Sequence, residues 1–372
     1  MWWGQFVDGC FESGRVLGGE KRYLAVGEHL DAFLEAFAEK FGATSHGLTV
    51  LLNSMGSLHR SMGRYSAAEK CYRRDLAITE SILGPEHPQT LISLNSLAIV
   101  LQLRGDWDAA ETIFRRVLEV RKTTLGPVHA ATLESVNNIA LLLQQRGDLV
   151  EAKVLHQSAL EACDRTLGPE HPATLRSVSN LATLLCRAGD VAAAEPLCRR
   201  ALDARERTLA PDHPETLQSR NNLAFILQAK GDLTAAEALY QRTLDARERT
   251  LGAEHPDTLN NLNNLAGLLY MTGDLAAAEP MFRRVLESQE RTLDAGHPDT
   301  LTVAFNLAMV LAQRGDLDAA EPLARRVVER YERLLLPQHP QRKNAEELLA
   351  AIQSSHIKVA PTEDMGEGRH VE

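Results

Sequence analysis

The apolar positions between residues 88 and 104 follow the i, i+3, i+4, i+7 spacing of a helix that buries one stripe. These positions are Leu91, Leu94, Leu97, Ala98 and Leu101. Pro88 suits the first helical turn, where its missing N–H has no intrahelical partner, and Gly105 can adopt the left-handed conformation that ends a helix. The pattern predicts a helix over 88–104, which we call helix A.

A second amphipathic segment follows at once. Asp106 is a favourable N-cap residue for a helix over 107–124, which we call helix B. Its candidates for burial are Ala110, Ile113, Phe114, Val117 and Leu118. Because the connection between the two segments is so short, helices A and B are expected to lie side by side and antiparallel.

This pair of segments recurs along the chain with a period of 42 residues. A histidine marks the start of helix A in every unit after the first and of the final capping helix, and proline follows it in all cases but one: His87, His129, His171, His213, His255, His297 and His339. A Gly-Asp pair separates the two helices in every unit from Gly105-Asp106 to Gly315-Asp316. Neither helix can bury its apolar stripe within one unit, so successive units must stack.

Residues that occupy the same position in successive units, which we call a column, indicate how the helices pack. One small column in helix A comprises Gly56, Ala98, Ala140, Ala182, Ala224, Ala266 and Ala308, and another in helix B comprises Ala68, Ala110, Ala152, Ala194, Ala236, Ala278 and Ala320. Such columns let neighbouring helix axes approach closely. A bulkier column of Tyr72, Phe114, Tyr240 and Phe282 is expected to fill the wider gaps, although it weakens to His156, Cys198 and Ala324.

Two-helix units with small residues at fixed places resemble the tetratricopeptide repeat, whose usual length is 34 residues. Units such as the one from His255 to Gly296 are similar to the 42-residue repeats of kinesin light chains. The resemblance covers residues 42–357. It implies an all-α fold, namely a right-handed α-solenoid of antiparallel helix pairs in which the A helices line a concave surface.

The period also predicts the boundaries of the array. Seven repeats occupy 42–335, and 336–357 form a more polar capping helix. Residues 1–41 are expected to contain a degenerate half-repeat that caps the other end through Leu24, Leu30, Phe33 and Phe37. Residues 358–372 lack an apolar period and are expected to form a disordered tail.

Composition narrows the range of partners and locations. The formal net charge of −10 argues against a nucleic-acid partner, since nucleic-acid-binding surfaces are normally basic. No apolar run approaches the ~18 residues that span a bilayer, so no membrane partner is expected either, and residues 1–20 lack the features of a signal peptide. Five cysteines without CxxC spacing suit a reducing compartment. The expected location is the cytoplasm.

Residue types that often bind metals or take part in catalysis are predicted to have structural roles in this chain. Each repeated histidine is expected to bond backbone groups at the turn between units, because equivalent atoms in neighbouring units are too far apart to share a metal ion. Cys186 and Cys198 are predicted to be buried within one unit. Arginine pairs from Arg73-Arg74 to Arg325-Arg326 predict ion pairs on the outer face. No phosphate loop, HExxH or GxSxG motif occurs, so neither an enzymatic activity nor a cofactor is predicted.

Two adjacent columns of asparagine are the most informative polar feature. The first comprises Asn53, Asn95, Asn137, Asn221 and Asn263 and is broken by Ser179 and Phe305; the second comprises Asn138, Asn180, Asn222, Asn264 and Asn306. Asparagine is a mediocre helix former, so its recurrence in mid-helix needs a reason. The resemblance implies that the first column faces a bound peptide, and the second is expected to bond the adjacent repeat.

The expected function is therefore a non-catalytic scaffold that binds a peptide or partner protein in its concave groove. Two alternatives stay open. The array can instead regulate an enzyme or a signalling NTPase or protease system. It can also serve as a kinesin light chain-like cargo adaptor, although residues 1–46 show no heptads of the coiled coil that docks such a chain to its motor.

Overall fold

The computed structural model describes residues 46–61, 63–293 and 295–359, and within them it contains fifteen helices and no strand. The helices are α1 (His46–Ser61), α2 (Tyr65–Leu83), α3 (Pro88–Arg104), α4 (Trp107–Leu125), α5 (Ala130–Arg146), α6 (Leu149–Leu167), α7 (Pro172–Arg187), α8 (Val191–Thr208), α9 (Pro214–Lys230), α10 (Leu233–Leu251), α11 (Pro256–Thr272), α12 (Leu275–Thr292), α13 (Pro298–Arg314), α14 (Leu317–Leu334) and α15 (Pro340–Val359). Units 1 to 7 are the successive pairs from α1–α2 to α13–α14.

The start and end of each helix A have local causes. From α3 to α15, the odd-numbered helices begin after a repeated histidine whose Nδ1 accepts a hydrogen bond from the backbone N–H two residues later, at 3.2 to 3.3 Å. This confirms that the histidines bond backbone groups at the turns. Gly105 ends α3 at φ 94° and ψ 12°, the left-handed conformation expected of it.

The start of each helix B only partly matches the expectation. Asp190, Asp232, Asp274 and Asp316 accept a hydrogen bond from the backbone N–H three residues later, as N-cap side chains do. Asp106 occupies the N-cap position of α4, as predicted, but its carboxylate accepts no hydrogen bond from the first turn of that helix.

The helices form two layers around a continuous apolar core. Both small columns are buried, and so are the bulky side chains of Tyr72, Phe114, Tyr240 and Phe282 between them. One cluster of buried side chains runs from Tyr65 to Ile352. Successive odd-numbered helices contact one another along most of the array, so they form the tighter inner layer and the even-numbered helices form the outer layer.

Glycine stands in the first unit at a position where the other units have alanine, and the packing explains why. A Cβ on Gly56 would lie 2.6 Å from Cε1 of Tyr72, which is closer than atoms can approach. The Tyr72 hydroxyl also shares a hydrogen bond of 3.0 Å with Ser57. The orientation of the Tyr72 ring therefore requires glycine at position 56, whereas Tyr240 is buried in a unit that has Ala224 at the equivalent position.

The outer layer is covered by ion pairs. Arg73, Arg115, Arg199, Arg283 and Arg325 each pair with a glutamate four residues earlier, as predicted. The second arginine of a pair reaches the preceding outer helix instead: Arg116 binds Glu80 at 3.0 Å and Arg284 binds Glu248 at 2.7 Å. The ion pairs thus link consecutive units as well as consecutive helical turns.

The ends of the described chain bear on the predicted boundaries. Helix α15 packs on α14 and continues to Val359, two residues beyond the predicted boundary of the capping helix. The half-repeat predicted for residues 1–41 lies outside the described residues, and so do residues 360–372 of the tail predicted for 358–372, whereas residues 358 and 359 belong to α15. None of the described helices is both long and apolar enough to cross a lipid bilayer.

Candidate functional site: the inner surface

The two asparagine columns meet across the boundaries between units. The Nδ2 of a second-column residue donates to the Oδ1 of the first-column residue in the preceding unit. The donor–acceptor distances are 2.9 Å for Asn138 to Asn95, 2.9 Å for Asn180 to Asn137, 3.3 Å for Asn264 to Asn221 and 3.5 Å for Asn306 to Asn263. These bonds confirm that the second column binds the adjacent repeat. We call these four pairs the amide ladder.

The amide ladder uses only half of the hydrogen-bonding capacity of its side chains. Each asparagine amide has two donor hydrogens and an acceptor oxygen. In a pair, the first-column oxygen and the second-column nitrogen are engaged, whereas no described residue accepts from the first-column Nδ2 or donates to the second-column Oδ1. Asn137 and Asn263 are half-buried, and Asn95 and Asn221 are 6% and 9% exposed. Each pair therefore has one amide nitrogen and one amide oxygen without a partner among the described residues.

The ladder has two irregular places. In unit 1, Asn53 donates to Oδ2 of Asp75 at 3.5 Å, and Ser93 donates to the same oxygen at 2.6 Å. Burial raises the pKa of Asp75. No asparagine pair forms between units 4 and 5, because Ser179 has no amide. Asn222 instead accepts a hydrogen bond from Gln218 at 2.9 Å.

Around the constant amides, the residues of the inner helices vary from unit to unit. Positions three or four residues from a ladder amide share its helix face. These positions include Ile92 and Leu141, which are 43% and 44% exposed, as well as Arg176 and Phe225. The inner surface thus combines a repeated polar element with side chains that differ in size, polarity and charge.

A column of buried arginines beneath this surface was missed by the sequence analysis. Arg121, Arg205 and Arg247 lie on outer helices but reach into the next inner helix, and they are 4% to 6% exposed. Arg121 donates to the carbonyl of Ala131 and to the hydroxyl of Ser135, both at 2.8 Å. Burial lowers the pKa of Arg205 and of Arg247. The signal in the sequence is that the three arginines occupy the same position of the repeat. The other units have Thr, Cys, Gln or Tyr at this position.

Cys186 and Cys198, which the sequence places within one unit, lack the features of a nucleophile. Cys186 and Cys198 are buried, as predicted, and both are free thiols. Burial raises the pKa of Cys198 to about 12, with a smaller contribution from Cys186. A thiol with so high a pKa is protonated at neutral pH, whereas a nucleophile must be a thiolate. Among the described residues, no group of three or more His, Cys, Asp or Glu side chains is arranged to hold a metal ion.

Comparisons with known proteins agree with this architecture. Solved structures with a similar fold include a tetratricopeptide repeat protein from Parabacteroides merdae (15% identity, 82% of this chain and 98% of that one, TM-score 0.51) and the apo form of RapI (13%, 77% and 98%, 0.53). Kinesin light chain TPR-like repeats from Podosopora anserina are 29% identical over 56% of this chain and 98% of that one, with a TM-score of 0.44. No curated protein sequence matches the chain significantly.

The family assignment rests on the sequence model for the repeat. The model described as tetratricopeptide repeat matches residues 47–123, 129–190, 176–229, 218–291 and 262–333. These overlapping matches cover most of the chain, and they coincide with the helix pairs α1–α2 to α13–α14. The chain therefore belongs to the tetratricopeptide repeat family.

Proposed function

We propose that the inner surface binds an extended peptide segment of a partner protein, and that the amide ladder engages the main chain of that segment. Asn53, Asn95, Asn137, Asn221 and Asn263 are the proposed groove residues. The observation that carries the proposal is the unused donor and acceptor on each pair of the ladder. An extended peptide presents both groups at every residue other than proline.

The hydrogen bonds between units favour such binding. A side-chain amide that is already held by its neighbour has lost its rotational freedom before the ligand arrives, and preorganisation of this kind reduces the entropic cost of association. Main-chain contacts supply affinity without sequence preference. Variable neighbours such as Ile92, Leu141 and Arg176 then select the side chains of the peptide.

The test replaces the unused donors without removing the bonds between units. Asn137→Asp and Asn263→Asp keep the oxygen that accepts from Asn180 or Asn306 but replace Nδ2 with a second oxygen. The probe is a peptide selected from a random display library against the wild-type protein. Loss of two hydrogen bonds, each worth about 0.5–1.5 kcal/mol, weakens binding of this peptide by about 5- to 150-fold.

Asn222→Asp is the matched control. Like each single replacement, it adds one negative charge to the same surface, so both single variants are measured beside the double variant. Asn222 belongs to the second column and donates to no described residue. The proposal expects the double variant to melt like the wild type and to bind the peptide more weakly than the control does. Equal affinity of the control and the double variant would remove the amide ladder from the binding site.

A further inference from the structure

The first and last units of the array touch each other. The N–H of Leu336 donates to the carbonyl of Arg104 at 3.0 Å, and the rings of Trp107 and His339 lie 6.1 Å apart. One unit earlier on each side, the His297 side chain bonds the carbonyl of Ser61. His297 and His339 are equivalent residues of the repeat, so equivalent turns make the two contacts, although through different atoms. We call this double contact the seam.

Two features of the residues at the seam suit the contact, although the second, Gly63, is a glycine that every unit shares. The first residue of helix B is aromatic in the two units at the seam, where it is Tyr65 or Trp107, and aliphatic in the other five. Gly63, at φ 71°, lies so near Pro298 that a Cβ would come within 2.9 Å of the proline Cδ. The seam therefore has the fitted chemistry of an interface.

A cavity of about 1220 Å³ lies at the seam, and arginines dominate its charge. Arg60 and Arg64 line it from unit 1, and Arg330 and Arg333 line it from α14. Asp299 is the only carboxylate among its described lining residues. Arg60, Arg64 and Arg333 form no ion pair with any described carboxylate, in contrast to Arg73, Arg115 and Arg199 of the outer layer.

Three of these arginines break the repeat. Arg64 stands where units 2 to 7 all have the aspartate that begins helix B. Arg60 stands where the other units have Gln, Cys, Tyr or Ala, and Arg330 stands where they have only Ser, Ala, Val or Ile. Each change makes the same cavity more positive, although the chain as a whole carries a formal charge of −10.

The loop opposite also departs from the repeat. The residue before the repeated histidine is acidic in four units, and here it is Gly296, whose Cβ position would lie 3.1 Å from Cζ of Arg330. Removing the acidic side chain both admits Arg330 and raises the local positive charge. One departure has the opposite sign, since Asp294 replaces a glycine of the repeat at a position outside the described residues.

We propose that the seam cavity binds a small organic polyanion, one that carries at least two phosphate or carboxylate groups and is held by Arg60, Arg64, Arg330 and Arg333. Guanidinium groups bind both kinds of anion through paired N–H donors. The volume is that of a small-molecule site rather than of a single ion. The two contacts of the seam border the cavity on either side, which favours a contained ligand over a continuous polypeptide. Because the ligand contacts both ends of the array, it stabilises the closed seam.

The experiment measures thermal stabilisation and calorimetric binding of the full chain at low ionic strength, with pyrophosphate and citrate as separate probes. The test variant combines Arg60→Gln with Arg64→Asp, because both replacements are residues that the array itself uses at these positions. Asp at position 64 also supplies an N-cap side chain for α2, so the variant is expected to fold. The matched control is Arg242→Asp, which makes the same charge change as Arg64→Asp on an exposed outer position.

We expect at least one probe to raise the melting temperature of the wild type and of the control, and to bind the test variant about tenfold more weakly or worse. A response to pyrophosphate alone assigns the site to phosphates, and one to citrate alone assigns it to carboxylates. The proposal is overturned if neither probe binds the wild type or if the test variant binds as the control does. It is also overturned if hexaglutamate binds where both probes fail, since the site then serves an acidic peptide.

Discussion

The two layers of the solenoid treat their polar side chains differently. On the outer layer, a glutamate such as Glu195 accepts from Arg199 of its own helix and from Lys230 of the next unit, both at 2.8 Å. On the inner layer, each pair of the amide ladder makes one hydrogen bond and leaves a donor and an acceptor unused. Charged side chains such as these on the outer face therefore bind one another, whereas each pair on the inner face has amide groups without a partner among the described residues.

The difference follows from the spacing of the helices. Successive inner helices touch, so the short side chain of asparagine spans the gap between them and is held rigidly. Outer helices stand farther apart, and long arginine side chains such as Arg116 and Arg284 are needed to reach the preceding unit. Exposed ion pairs of this kind are flexible and contribute little stability each. Curvature of the array thus produces two kinds of surface from one repeat.

The largest expected effect concerns the contact between the two layers. His156 occupies the bulky column and is 6% exposed, and burial lowers its pKa from 6.5 to about 4. Between these values the unfolded chain binds more protons than the folded one, so the contribution of His156 to the free energy of unfolding is complete above pH 6.5 and falls as the pH decreases toward 4. The loss amounts to roughly 3 kcal/mol.

Denaturant titrations at several pH values measure this effect. His156→Phe restores the aromatic residue found at Phe114 and Phe282, and it removes the titrating group. We expect the free energy of unfolding of this variant to fall less steeply below pH 6.5 than that of the wild type. Parallel pH profiles for the two proteins would mean that His156 is accessible to protons in the folded state.

A smaller effect is expected from breaking one rung of the amide ladder. Asn137→Ala removes the oxygen that accepts from Asn180 and leaves a partly buried amide without its partner. The free energy of unfolding should decrease by about 1 kcal/mol, less the gain from the better helix propensity of alanine. The decrease should be the same in 0.1 M and 1 M salt, since both groups are neutral. A strong salt dependence would place charge in the inner layer.

The smallest effect is expected on the outer layer. Glu195→Ala removes two exposed ion pairs and should lower the free energy of unfolding by about 0.2–1 kcal/mol per pair at most. This loss should vanish in 1 M salt, where exposed charges are screened. If the free energy of unfolding decreases by the same amount in 1 M salt, Glu195 does not stabilise the protein through attraction between charges, and the prediction is wrong.

Features that repeat could be predicted from the sequence, because the same residue type recurs at the same position of successive units. The bounds of α3, the histidine turns, the alanine columns and the outer ion pairs all follow from local propensity and period. Features that depend on the winding of the whole array were not predictable in this way. The seam joins Arg104 to Leu336, and its only trace in the sequence is a set of exceptions such as Arg64.

The asparagine columns also combine a feature that the sequence predicted with one that depends on how the units are arranged. Their spacing predicted that the second column reaches the adjacent repeat, and the bond from Asn138 to Asn95 confirms it. That this bond consumes the first-column oxygen, and so leaves Nδ2 as the donor for a ligand, depends on the distance between neighbouring inner helices. The same is true of Arg205, whose burial depends on the neighbouring unit.

The central claim is that the unused amides of the inner surface bind the ligand, and side-chain amide NMR tests it most directly. The ¹⁵N-labelled protein is titrated with the selected peptide, and the NH₂ resonances of Asn137 and Asn263 are followed alongside those of Gln157 and Gln241 on the outer helices. The account predicts that the two asparagine signals shift with the peptide concentration while the outer glutamine signals stay fixed. Saturating peptide that leaves both asparagine signals unmoved would contradict it.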